Sequence, residues 1–110
     1  MYWEIKPGAL APYRATPESA GLDLHALNMY RLKTRYMALF ETGVGIQIPL
    51  EQFELIAPRS GLALKGIQVL GTVIDADYQG ELKVILLNSG DTDLIIQPGD
   101  KIAQIVIIPV

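Results

Sequence analysis

The run from Ile102 to Val110 is apolar at every position except Gln104, and it limits the possible folds more than any other segment. A strand buried on both faces reads this way, whereas a half-buried strand alternates. At an open sheet edge the same run would template aggregation. It is therefore expected to be covered, by its own sheet or by another subunit. The rest of the chain reads as short strands between turn signals. Strand character is expected at Tyr2 to Lys6, Leu24 to Leu27, Tyr36 to Ile48 (broken near Gly43 and Gly45) and Phe53 to Ala57. It recurs at Ile67 to Leu70, Glu81 to Leu87, Leu94 to Gln97 and Ile102 to Ile108. Pro7, Pro12 and Pro17 keep the stretch from Pro7 to Ser19 irregular, and Asn88 to Asp93 is a polar turn. No helical period lasts more than a few residues. This pattern predicts an all-β barrel or sandwich.

A chain of 110 residues is expected to form one domain. At that length roughly 65% of the unfolded surface is buried, enough for a modest core. The absence of cysteine removes disulfides, thiolate metal sites and a cysteine nucleophile. The net charge of -3 and the lack of a lysine-arginine cluster argue against nucleic acid as a partner. Arg31, Lys33 and Arg35 read as a solvated face. No stretch approaches ~18 consecutive apolar residues and no leader pattern opens the chain. The expectation is no membrane and a cytoplasmic location, in a cell or a virus-infected cell.

Chemistry is concentrated in a few segments. From Gly71 to Gly80, an apolar strand runs into a loop carrying Asp75, Asp77 and Tyr78, and Gly80 releases a second strand. That reads as a β-hairpin with its functional groups at the tip. Either carboxylate could orient a water, and an acidic turn is the plain alternative. Arg59-Ser60-Gly61 sets a guanidinium, a hydroxyl and a glycine amide side by side after a proline, a compact cradle for phosphate. Asp23 lies in the tight Gly21-Leu22-Asp23 turn and Gln104 is a lone amide in an apolar strand. A buried amide needs partners, so Gln104 either braces a site or satisfies neighbouring backbone. His25, the only histidine, reads as structural, and Lys65 as solvated.

Ser19 to Leu24, Pro58 to Lys65, Gly71 to Gly80 and Gly99 to Gln104, in this order and spacing, resemble the first four motifs of the trimeric dUTPase family, which converts dUTP to dUMP and pyrophosphate. The resemblance covers Ala11 to Val110. It implies a jelly-roll-like distorted β-barrel and a homotrimer with its sites between subunits. By the same resemblance Asp75 orients the attacking water, with Asp77 the competing assignment. Tyr78 packs on deoxyribose and excludes a 2′-hydroxyl. Val73, Ile74 and the neighbourhood of Lys83 read uracil. Arg59, Ser60, Gly61 and Gln104 take the phosphates, and Asp23 holds Mg²⁺ through water.

The family's fifth motif, a glycine-rich arm with an arginine and an aromatic, has no counterpart up to Val110, so slower turnover is expected. Thr72 and Glu51 stand where glycines are usual. These departures keep an alternative in view: a weak or inactive nucleotide-binding or protein-interaction module on the same fold.

Overall fold

The computed structural model describes residues 2–12, 21–46, 52–70, 73–74 and 80–109. Thr72 and Glu51 lie outside these residues, as do Asp75, Asp77 and Tyr78. Eleven strands are present in the described residues: β1 Tyr2–Glu4, β2 Leu22–His25, β3 Tyr30–Leu32, β4 Met37–Glu41, β5 Val44–Ile46, β6 Gln52–Ala57, β7 Ile67–Val69, β8 Val73–Ile74, β9 Lys83–Asn88, β10 Leu94–Ile96 and β11 Lys101–Pro109. One short helix, α1 (Ser60–Ala63), follows β6. One helical turn is too short to display a period in the sequence, so nothing there announced it.

All the pairings are antiparallel. A four-stranded sheet runs β2-β11-β6-β8 and a three-stranded sheet runs β4-β9-β7, with the ribbons β1-β5 and β3-β10 completing a jelly-roll-like β fold. Leu24, Leu32, Phe40, Ile56, Val84, Leu86, Ile102 and Ile105 meet in the core. The apolar run of β11 is not an edge. Lys101 to Ile105 pairs with β2, and Gln104 to Pro109 pairs with β6. Each half is thus paired on one side and the two pairings overlap at Gln104 and Ile105, which reduces the strand edge left open.

The strands that flank residues 71–80 pair as the hairpin expectation requires. β8 pairs with β6, while β9 pairs with β4 and β7. β7 is the incoming limb and runs antiparallel to β9, with Ile67 opposite Asn88, Val69 opposite Leu86 and the Leu70 N–H donating to the Ile85 carbonyl at 2.9 Å. Further along the same limb, Val73 and Ile74 also join the four-stranded sheet, opposite Leu55 and Glu54.

Strand β9 alternates. Val84, Leu86 and Asn88 point inward, whereas Ile85 and Leu87 lie on the outer face opposite Leu39 and Met37. Met37 and Leu39 are 60% and 57% exposed, so this sheet presents an apolar outer face. Inward-facing Asn88 is fully buried and well satisfied. It donates to the carbonyls of Leu32 (3.0 Å) and Thr92 (2.9 Å) and accepts from the Gly90 N–H (2.9 Å). Asn88→Ala orphans three backbone groups, so equilibrium unfolding should show a loss of about 2–3 kcal/mol. The cations of the 31–35 stretch behave as a solvated face. Arg31 pairs with exposed Asp93 at 2.7 Å, and Lys33 lies over the Tyr36 ring.

Candidate active site

Asp23 is fixed by its strand. Gln104 of β11 sits directly opposite it, and Lys101 sits opposite His25. In a regular strand Lys101 and Gln104, three residues apart, would face opposite ways. The register shifts between Lys101 and Ala103, and this bulge turns both side chains to the Asp23 side. The Gly99-Asp100 turn that launches β11 is clipped to Ala26. The Gly99 N–H donates to the Ala26 carbonyl and the Ala26 N–H to the Asp100 carbonyl, both at 2.8 Å.

The Asp23 carboxylate is buried between two cations, Arg59 Nε at 3.5 Å from Oδ1 and Lys101 Nζ at 3.4 Å from Oδ2. Among the described residues, Oδ2 accepts no hydrogen bond. Arg59 has extended backbone (φ -96°, ψ 139°) and immediately precedes α1. Gln104 Nε2 donates to the Pro58 carbonyl at 2.9 Å, satisfying backbone and tying β11 to the segment that carries Arg59 and Ser60. The Gln104 amide fits because residue 21 is glycine: a Cβ there would lie 2.3 Å from Gln104 Oε1. Three segments distant in sequence thus converge on one polar cluster.

Beside the cluster opens a groove of about 400 Å³. Arg59, Lys65 and Lys101 bring three cations to it, Asp100 brings a carboxylate, and Leu62 and Ile95 supply apolar wall. Sequence reasoning passed over Lys101 and set Lys65 aside. The bulge that recruits Lys101 leaves no mark in residue order. Lys83, expected near the base, lies in the other sheet opposite Glu41 and borders a smaller cavity of about 50 Å³ with Leu39, Ile56 and Val69. Val73 and Ile74 form β8.

His25 is buried at the back of the cluster. Burial pushes its pKa below 6.5, more than the Asp23 charge pulls it up, with Lys101 and Arg59 adding to the depression. It is neutral at pH 7, as a structural residue should be. A depressed histidine pKa means the unfolded chain binds the extra proton below pH 6.5, so its contribution is complete above that value and fades as pH falls. Tm should drop between pH 7 and pH 5.5, and His25→Gln should flatten that part of the curve. The carboxylates with depressed pKa, Glu41 and Asp93, act only below about pH 4.5.

Among the described residues no three His, Asp or Glu side chains cluster to hold a metal ion, and no helix is long and apolar enough to cross a membrane.

An antiparallel jelly-roll with a buried carboxylate between cations, at the mouth of a basic groove, defines a protein suited to anionic ligands. The comparisons make the class specific. The dUTPase family model matches residues 8–110. Deoxyuridine 5′-triphosphate nucleotidohydrolases of Treponema denticola and Chlamydia pneumoniae are each 46% identical, over 97% and 100% of this chain and 78% and 79% of theirs. The Camelpox virus counterpart is 41% identical over 89% of this chain and 67% of its own. Among solved structures, a mutant dUTPase from phage phi11 of S. aureus, which reveals the coordination of a structural Mg(II) ion, superposes with a TM-score of 0.93 at 25% identity, covering 100% of this chain and 90% of that one. The chain belongs to the dUTPase family.

Proposed function

We propose that the chain hydrolyses dUTP to dUMP and pyrophosphate, which keeps uracil out of DNA and supplies dUMP for thymidylate synthesis. The observation that carries this reading is the convergence of Asp23, Arg59, Lys101 and Gln104 at the groove of a dUTPase-family chain. Three cations against two carboxylates leave this region net positive in an otherwise acidic protein, which favours a polyphosphate. Arg59, Ser60, Gly61 and Gln104 bind and orient the phosphate chain, with the guanidinium giving charge-assisted hydrogen bonds. Asp75 orients the water for attack on the α-phosphate and accepts its proton. Val73, Ile74 and the neighbourhood of Lys83 read the base, and Tyr78 packs on the deoxyribose. A fixed backbone pattern for uracil leaves buried polar groups unpaired when cytosine enters.

Magnesium fits the cluster in one form only. Asp23 Oδ2 is buried with the Lys101 ammonium 3.4 Å away and, among the described residues, accepts no hydrogen bond, which a water of a hydrated ion would supply. Two cations at 3.4 and 3.5 Å oppose a bare divalent ion, so the ion belongs with the triphosphate, whose charge outweighs them. Bound there, Mg²⁺ would neutralise phosphate charge.

The apolar outer face formed by Met37, Leu39, Ile85 and Leu87 supports a homotrimer of one-domain subunits. Family membership favours sites shared between neighbouring subunits. We place the reaction in the cytoplasm of a cell or a virus-infected cell.

Pyrophosphate release with Mg²⁺ tests the function. Turnover of dUTP should exceed that of dCTP by on the order of 10⁴, with dTTP and UTP also rejected. Equal turnover of all four would sink the reading.

A further inference from the structure

Lys6 precedes the residues matched by the family model, which begin at position 8. It nevertheless reaches the start of β9. Its ammonium donates to Glu41 at the end of β4 and lies 3.2 Å from Glu81 Oε1. Glu81 is the buried member of the trio, with a side chain 8% exposed, whereas Lys6 and Glu41 are at 38% and 37%. The other Glu81 oxygen accepts the Gly43 N–H at 2.9 Å. The Gly43 carbonyl in turn accepts the N–H groups of Ile5 (2.7 Å) and Lys6 (3.1 Å). One residue further, the Leu82 N–H donates to the Val44 carbonyl at 2.8 Å, and Thr42 Oγ1 donates to the Leu82 carbonyl at 2.6 Å. Gly43 is committed to this knot. Its φ is +74°, and a Cβ would lie 2.9 Å from the Ala9 Cβ.

We infer that Lys6 is a positioning residue for base recognition: by bridging Glu41 and Glu81 it seats the start of β9 against the turn between β4 and β5. The inference rests on the reading of the β8–β9 connection as the uracil-binding element, because Gly80 to Lys83 is the limb by which that connection returns to its sheet. Hydrogen bonds to Glu41 and Glu81 hold the Lys6 pKa above its usual 10.5, and the Lys6 bond holds Glu41 below 4.5, so the bridge is charged at neutral pH. A half-exposed pair contributes little to global stability. A largely buried carboxylate that loses its ammonium instead shifts to regain solvent, and it carries Leu82 and Lys83 with it.

Lys6→Met and Lys6→Arg separate the outcomes. Hydrogen exchange at the Gly43 and Leu82 amides, which needs no activity, should rise about tenfold in Lys6→Met while the β11 amides keep their protection. Affinity for dUMP should fall about fivefold to tenfold. Affinity for inorganic pyrophosphate should hold, and Lys6→Arg should restore dUMP binding. Unchanged exchange at Gly43 and Leu82 would overturn the inference. So would a loss of pyrophosphate affinity equal to that for dUMP, or exchange rising alike across β11, since either marks a merely structural lysine. If the unaltered protein binds no dUMP, the functional reading has failed, and exchange at Gly43 and Leu82 alone decides whether Lys6 seats β9.

Discussion

Asp75→Asn leaves dUMP affinity within about twofold and lowers kcat for dUTP by about 10²- to 10⁴-fold, the range expected when a positioned general base is removed. The amide keeps the size and hydrogen-bonding reach of the carboxylate, so base and sugar contacts survive. It cannot take a proton from water at neutral pH. Single-turnover pyrophosphate release alongside dUMP titration separates the two effects. Asp77→Asn is the control. Loss of turnover there, with Asp75→Asn active, moves the role to Asp77. Loss of dUMP binding in Asp75→Asn would show that the carboxylate holds the nucleotide and that the water is oriented from elsewhere.

The strands were legible because each rests on local signals. The apolar run of β11, the Pro98-Gly99-Asp100 turn and the alternation of β9 announce themselves within a few residues, and the structure places strands there. What residue order hides is pairing. The antiparallel pairing of β7 with β9 follows the hairpin that the sequence suggests, but nothing between Gly71 and Gly80 says that Val73 and Ile74 also pair with β6 in the other sheet. The cluster at Asp23 was half legible for the same reason. Asp23, Arg59 and Gln104 stand in recognisable segments. Lys101 reaches the Asp23 side only through the bulge, which changes which residues share a face without changing which residues are present. Lys6 is further out of reach. Its partners Glu41 and Glu81 are 35 and 75 positions away, and only the folded chain brings the three together.

The second large effect concerns which chains build a site. Arg59→Gln removes the guanidinium beside Asp23 and should cost at least about 10²-fold in turnover, as loss of a transition-state charge partner does. Asp75→Asn is as damaging by a different route. If each site takes Arg59 from one subunit and Asp75 from its neighbour, the two inactive variants complement each other when refolded together at equal ratio. In a randomly mixed trimer, one site in four on average pairs an intact Arg59 with an intact Asp75, so activity should return to about a quarter of the unaltered level. If both residues of a site come from one chain, every site keeps one lesion and mixing restores nothing. The readout is insensitive to modest differences in folding yield, because neither parent has activity to dilute. Sedimentation of the mixture at the trimer mass must accompany it, and recovery in a monomer fraction would refute the shared site. The apolar face of Met37, Leu39, Ile85 and Leu87 gives a physical handle on the same claim. If subunits meet on this face, Leu39→Lys buries a charge in their contact, so it should shift the protein toward monomer and abolish turnover together.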